Sequence, residues 1–151
     1  AVVNANGGTN RALSEGLMIK LTDDVRVAGG NTSLILTSLG VRRSYFNLLT
    51  QQRRYTDTKE FAGGIRGLAF NNGREIPVVE DVDAPASKAW FLDESTLTIY
   101  RSTDWSWLDT DGNVWKWLAD YDAFQAVLHS YWELGVNRRN GNGLLSDITE
   151  G

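Results

Sequence analysis

The clearest pattern at the start of the chain is an apolar residue at every fourth position. This spacing predicts a helix over residues 9–28, with Thr9 or Asn10 as its N-cap and Gly29 at its end. The next apolar run, 32–37, is short and rich in β-branched residues, which predicts a buried strand. The helical stripe consists of Leu13, Leu17, Leu21 and Val25.

A second helix is predicted over 39–51, with Ser38 as its cap. Its apolar positions share one side, and Arg42 and Arg43 fall on the polar side. The polar, glycine-containing stretch 50–64 that follows predicts a long loop.

Strand signals dominate the middle of the chain. An Asn-Asn-Gly turn at 71–73 joins two of the predicted strands, and an Asp-Ala-Pro turn at 83–85 precedes a third. The predicted strands cover 65–70, 75–80, 89–92 and 97–99.

Tryptophan is concentrated in one short region. The runs 105–108 and 114–117 each carry two tryptophans at alternate positions, around an Asp-Gly turn at 109–113. This arrangement predicts a β-hairpin in which each pair shares one face. Such a face is able to pack as cross-strand pairs, anchor a protein–protein contact, or form a platform on which a sugar stacks.

The segment 121–136 fits two periodicities. Its apolar residues match helical spacing and strand alternation about equally, so periodicity leaves both open. The asparagine- and glycine-rich stretch 137–143 predicts a loop. With helices and strands both present and no internal repeat, the sequence predicts one α+β unit of 151 residues.

Composition narrows the possible chemistry. The chain has no cysteine and one histidine, His129, which leaves no thiolate nucleophile and no cysteine-based metal site. The 109–113 loop departs from a calcium loop because Val114 stands where glycine is required. The acidic residues at 75–83 are interpreted as a solvated loop. A net charge of −4 argues against a general nucleic-acid binder, and no apolar run is long enough to span a membrane. We therefore expect no enzyme, no cofactor and no metal site.

Five segments taken in order resemble a known family. They are 40–49 (GVRRSYFNLL), 64–70 (GIRGLAF), 76–81 (IPVVED), 104–107 (DWSW) and 133–140 (ELGVNRRN). This order resembles the C-terminal portion of the major capsid proteins of tailed bacteriophages, whose fold is shared with encapsulins. The likeness extends from about Thr9 to Ile148.

The resemblance implies an α+β capsid fold with mixed and antiparallel sheets flanked by helices. About 1–50 and 119–151 would belong to the peripheral or central body, and about 51–118 mostly to the axial domain. The segment 121–148 would then form long antiparallel strands. Family members carry an N-terminal arm, an extended loop and a spine helix before this region. None of these is visible in the sequence, which also lacks an initiator Met, so we expect this piece alone to stay monomeric or form small oligomers.

The function that the resemblance implies is that of a structural subunit in an icosahedral shell enclosing a phage genome. Its partners would be copies of itself in pentamers and hexamers, scaffold or portal proteins, and DNA through non-specific contact, in virions assembled in the bacterial cytoplasm. An encapsulin-like shell and a carbohydrate-binding module are the alternatives. The expected subunit-contact residues are Arg42, Arg43, Arg53, Arg54, Trp105, Trp107, Arg138 and Arg139.

Overall fold

A computed structural model of the chain describes residues 1–53, 69–70 and 74–151. The described residues form two compact units, one of 1–96 with 138–151 and one of 97–137. The first unit contains two helices, α1 (Glu15–Val27) and α2 (Leu39–Arg53). Its strands are β1 (Val2–Asn4), β2 (Leu34–Thr37), β3 (Ala69–Phe70), β4 (Arg74–Glu75), β5 (Val78–Glu80) and β6 (Ala89–Leu92).

The second unit contains four strands, and the chain then returns to the first unit for its last strand. Short 3₁₀ turns at Glu94–Thr96 and Arg139–Gly141 stand on either side of the second unit in sequence. The four strands of the second unit are β7 (Leu97–Trp107), β8 (Lys116–Trp117), β9 (Phe124–Gln125) and β10 (Leu128–Val136), and the last strand of the first unit is β11 (Gly143–Leu145).

A five-stranded mixed sheet organises the first unit, in the order β1-β11-β6-β2-β5. The two outer pairs, β1 with β11 and β2 with β5, are parallel, and the inner pairs are antiparallel. One face of the sheet and both helices share a single apolar core. Its most deeply buried side chains include Leu21, Val25, Ile35, Tyr45, Phe91, Leu145 and Ile148.

Helix α1 confirms the first predicted helix but begins later than expected. The predicted caps were wrong: Ser14 is the N-cap, and its hydroxyl accepts a hydrogen bond from the Leu17 N–H at 3.3 Å. Residues before Ser14 are drawn into pairing with the end of the chain, because the Arg11 N–H donates to the Asp147 carbonyl at 2.8 Å. Gly29 ends the helix as predicted, in the left-handed conformation with φ 87°.

Helix α2 confirms the second predicted helix and its cap, since the Ser38 hydroxyl accepts from the Val41 N–H at 3.4 Å. Strands are also confirmed at 34–37 and 89–92. Most of the predicted loop 50–64, most of the predicted strand 65–70, and the turn at 71–73 lie outside the described residues.

The single strand predicted over 75–80 is wrong. It divides around Pro77, with β4 pairing to β3 and β5 pairing to β2. Proline has no backbone N–H to donate to a sheet, and at this point the chain leaves one partner for another. The Pro77 carbonyl still accepts a hydrogen bond, from the Ile35 N–H at 3.0 Å.

The second unit corrects the predicted tryptophan hairpin. β7 pairs antiparallel with β10, and Trp107 lies opposite Leu128 instead of 114–117. β8 instead forms a small hairpin with β9, Trp117 lying opposite Phe124. The long β7–β10 ladder makes the ambiguous segment a strand over 128–136, as the resemblance implied. No helix in the described part of the chain is both long and apolar enough to cross a membrane.

A buried carboxylate closes one end of the five-stranded sheet. Asp93 accepts hydrogen bonds from the Asn31 N–H at 3.0 Å and from the Ser95 hydroxyl at 2.6 Å, while its own N–H donates to the Asn142 side chain. Burial opposes ionisation of Asp93, but these donors, the Ser95 N–H and the positive charge of Arg138 together hold its pKa below the ordinary value.

We expect Asp93 to make folding sensitive to acid. Since its pKa is lowered in the folded state, its stabilising effect is present above the unfolded pKa, about 3.9, and is lost as the pH falls through the folded value. Asp93→Asn should lower stability at pH 7 by about 1–3 kcal/mol and flatten the loss of stability as the pH falls below about 5. Denaturant unfolding at several pH values measures this slope. Asp23→Asn, at an exposed position on α1, is the control; an unchanged slope in Asp93→Asn would contradict the assignment.

Candidate subunit-contact surfaces

The β7–β10 ribbon has one face that is almost wholly apolar. Residues directly opposite each other in an antiparallel pair share a face, and alternate residues along a strand return to it. The even-numbered apolar residues of β10 therefore face the same way as their partners on β7, and Trp105 shares this face with Trp107. This apolar stripe consists of Leu97, Ile99, Arg101, Trp105, Trp107, Leu128, Trp132, Leu134 and Val136.

Irregular pairing near the middle of the ribbon occurs on β7 and leaves the alternation of β10 intact. The register shifts on both sides of Tyr131, and each time the extra residue belongs to β7, since Tyr131 and Trp132 are consecutive while their partners Thr103 and Arg101 are two apart. Tyr131 therefore faces away from Trp132, on the side of His129, whose ring centre lies 5.4 Å from its own.

The other face of the ribbon is largely polar. Tyr100 lies opposite Glu133 and Ser106 lies opposite His129, and the Tyr100 hydroxyl donates to the Asn137 side chain at 2.7 Å. Gly135 is required beside this tyrosine, because a Cβ there would lie 2.3 Å from the Tyr100 ring. The ribbon is therefore amphipathic.

The apolar stripe is exposed to solvent along most of its length. Trp105 is 67% exposed and Trp132 61%, and no side chain of the fully described unit 97–137 is buried. Eleven strand residues span roughly 35 Å. A two-stranded ribbon is marginally stable in water on its own, and a large bare apolar patch marks an interaction surface.

The predicted contact residues Trp105 and Trp107 both lie on this stripe. Trp115 and Trp117 do not, and Trp117 makes an edge-on contact with Phe124, with 5.2 Å between ring centres. All four are more than half exposed, so of the alternatives that the sequence left open, packing within the chain does not cover them, and a protein–protein contact or a ligand platform remains. The sequence did not show that β10 forms half of the stripe. The apolar residues of 121–136 fit helical and strand spacing about equally, so β7 could not be paired with this segment from the sequence alone.

The arginines on α2 have different surroundings. Arg42 was expected to face solvent but is half-buried, with an ion pair to Glu80 and its guanidinium 5.0 Å from the centre of the Phe46 ring. Glu80, the carboxylate that pairs with Arg42, thus belongs to the same chain. Arg43 is exposed, and its Nε donates to the Gly151 carbonyl. The side chain of Arg53 and all of Arg54 lie outside the described residues.

Arg138 and Arg139 are exposed in the turn that precedes β11. Arg138 lies against Gly29 at the end of α1, where an added Cβ would meet its guanidinium, and its charge acts on Asp93. Arg139 makes no ion pair or side-chain hydrogen bond within the described part of the chain. The two arginines therefore differ: Arg138 contributes to the fold, whereas Arg139 is available for a contact outside the chain.

His129, the single histidine, lacks the carboxylate partner that a catalytic triad requires within the described residues. His129 Nε2 lies 3.4 Å from the Ser106 hydroxyl, but its Nδ1 is buried and has no hydrogen-bond partner within the described residues. A serine–histidine–aspartate triad needs a carboxylate at that nitrogen. Within the same residues, no group of three or more histidine or acidic side chains is placed to hold a metal ion.

Comparison with known proteins gives a family match and a structural match for the chain. Residues 1–114 match the model of the SU10 major capsid protein family. In structure the chain is similar to a protein of the cyanophage A-1(L) capsid asymmetric unit, with a TM-score of 0.60 and 17% sequence identity. That match covers 99% of this chain and 50% of the cyanophage chain, so this chain spans half the length of its structural neighbour. No curated protein sequence matches it. Because the family model covers most of its residues, the chain belongs to the SU10 major capsid protein family.

Proposed function

We propose that the chain is part of a structural subunit that assembles with copies of itself into an icosahedral shell enclosing a phage genome. The observation that carries this proposal is the apolar stripe of the β7–β10 ribbon. Trp105 and Trp132 are exposed in the single chain. A large exposed apolar surface of this kind is normally covered by another surface in the assembled protein. A role based on surfaces also suits a chain whose described residues hold no catalytic triad or metal cluster.

The two compact units suit the two domains that the family resemblance implies. We assign 97–137, with its long antiparallel strands, to the peripheral domain, and 1–96 with 138–151 to the axial domain. These boundaries differ from those at 51 and 118 expected from the sequence. The stripe would then pack against the spine helix that family members carry or against a neighbouring subunit.

The further partners follow from the same proposal. Copies of the subunit would form pentamers and hexamers, and scaffold or portal proteins would join them during assembly in the host cytoplasm. The net charge of −4 gives no general attraction for DNA. The enclosed genome would be contacted non-specifically.

Electron microscopy of the complete gene product that carries this chain tests the proposal. We expect closed particles of uniform size after expression in bacteria. Nuclease-resistant nucleic acid inside those particles would indicate a virion shell, whereas protein cargo would indicate an encapsulin-like compartment. A complete gene product that stays monomeric at micromolar concentration, with or without its scaffold, would contradict the shell proposal.

Carbohydrate binding is the second candidate, because Trp105 and Trp107 are both more than half exposed. Trp105 and Trp107 lie two residues apart on one face of β7, the spacing that places two indoles on one platform. Titration of tryptophan fluorescence with soluble oligosaccharides distinguishes the two functions. Saturable quenching at micromolar sugar would favour a binding module, and its absence is expected of a subunit contact.

A further inference from the structure

The five-stranded sheet has a second apolar surface, on the face opposite its core. Its core-facing residues include Ile35 and Phe91, so their neighbours along each strand point the other way. The cross-strand register aligns five of those neighbours in one row that crosses every strand, and none of the five is buried. The row is Val3, Leu144, Trp90, Leu36 and Val79.

A pocket lies on this face where the loop after β5 stands beside Trp90. Its volume is about 270 Å³, and its floor and one wall are apolar, formed by Leu36, Leu92, Trp90, Ala84 and Pro85. Two carboxylates, Asp81 and Asp83, complete the lining, and both side chains are exposed. The Asp81 carboxylate also accepts a hydrogen bond from the Asp83 N–H at 3.0 Å, which holds the loop in shape.

This combination of groups suits an arginine side chain. The aliphatic stem of arginine packs on apolar walls while its planar guanidinium stacks on an indole and pairs with carboxylates. A cation over a tryptophan ring contributes about 0.5–1 kcal/mol at an exposed site and more when desolvated. The more strongly hydrated ammonium of lysine has less affinity for such a pocket.

The chain itself carries an arginine that matches. Arg139 is exposed and without a side-chain partner in the described part of the chain. The sheet register places its turn at the Leu34–Leu92 end of the sheet, whereas the acidic loop follows β5 at the Thr37–Ala89 end. The two features lie at opposite ends of one sheet, so two copies are able to join them head to tail. Heterologous contacts of this kind produce closed rings when the rotation between copies closes.

We propose that the pocket around Trp90, Asp81 and Asp83 receives Arg139 of a second copy, and that this contact joins neighbouring subunits within a ring. The inference rests on the proposed function, because it requires many copies in one assembly. In this arrangement the neighbouring subunit covers the open face of the sheet. The acidic loop with Asp81 and Asp83 makes the contact specific for the neighbour's arginine.

A charge exchange in the complete gene product tests the contact. Asp81→Asn with Asp83→Asn, and separately Arg139→Gln, should each lower the yield of closed particles about tenfold. Combining Asp83→Arg with Arg139→Asp should recover most of the yield that either change alone removes. Asp120→Asn with Asp122→Asn, two exposed acids in the second unit, is the matched control and should leave the yield unchanged. Thermal unfolding of the 151-residue chain should be alike in all variants, since every changed side chain is exposed.

The outcomes separate this inference from the proposed function. Absence of particles from the unaltered protein refutes the proposed function. If the unaltered protein assembles and the pocket variants assemble equally well, the inference is wrong and the proposed function stands. Loss of assembly in the pocket variants with Arg139→Gln unaffected also overturns the inference, because the occupant is then not this arginine.

Discussion

Trp132→Ser is expected to abolish assembly of the complete gene product while leaving the 151-residue chain folded. Trp132 lies in the middle of the apolar stripe and is 61% exposed, so its removal costs little within the chain. Truncating a central aromatic residue of an interface typically costs about 2 kcal/mol or more, which is roughly a 30-fold loss of affinity for each contact. Because the proposed shell would repeat each contact many times, particle yield should fall further than this factor. Sedimentation measures assembly, and circular dichroism measures the unfolding midpoint, which should change by no more than about 2 °C.

Trp115→Ser is the matched control. Trp115 is also 61% exposed but lies outside the stripe, in the segment before β8. The same chemical change at equal exposure should leave assembly intact if the stripe is the contact. Equal impairment by both substitutions would show that lost apolar surface in general is responsible. A sharp fall in the melting temperature of Trp132→Ser would instead indicate a role in the stability of the chain.

Gly30→Ala is expected to destabilise the chain more than any other glycine-to-alanine substitution outside the β7–β10 ribbon. A Cβ at Gly30 would lie 2.4 Å from the Gly141 carbonyl oxygen and 2.6 Å from its Cα. Both are backbone atoms of the buried turn before β11, so no flexible side chain is able to move aside. Overpacking of this kind costs about 1–3 kcal/mol, occasionally more. For a chain of this size we expect the melting temperature to fall by about 3–10 °C, measured by circular dichroism.

Gly16→Ala is the control for the added methyl group. Gly16 lies in the first turn of α1 with nothing within 4 Å of a Cβ, and alanine is the better helix former. This variant should be unchanged or more stable, by up to about 1 kcal/mol. If Gly30→Ala proves as stable as Gly16→Ala, the close approach of Gly30 to Gly141 does not occur in solution.

Local signals were sufficient for the elements whose partners are close in sequence or whose ends are set by one residue. Examples are the apolar residue at every fourth position before Gly29, which predicted α1, and Ser38, which predicted the start of α2. Both could be predicted because a helix forms its hydrogen bonds within itself. The N-cap of α1 was missed because pairing with the end of the chain, some 135 residues away, drew 9–13 out of the helix. Local pattern holds no information on such a partner.

The tryptophan region shows the same limit in the candidate site. Alternation correctly predicted that Trp105 and Trp107 share a face, because that follows from the geometry of any strand. An Asp-Gly turn with aromatic runs on both sides suggested the nearest partner, but β7 pairs instead with β10, about 20 residues further along. The longer ladder gives more hydrogen bonds and cross-strand contacts than a four-residue hairpin.

The sequence by itself determined the fold class, the resemblance to phage capsid proteins, and the absence of cysteine chemistry, because these depend on residue type and order. Only the tertiary structure decided that Arg42 pairs within its own chain, that the ribbon tryptophans are bare, and that an apolar row crosses the outer face of the sheet. Each of these depends on which distant segments come to lie side by side. That choice is made by the packing of the whole chain, since burial and cross-strand neighbours do not exist until the strands have found their partners.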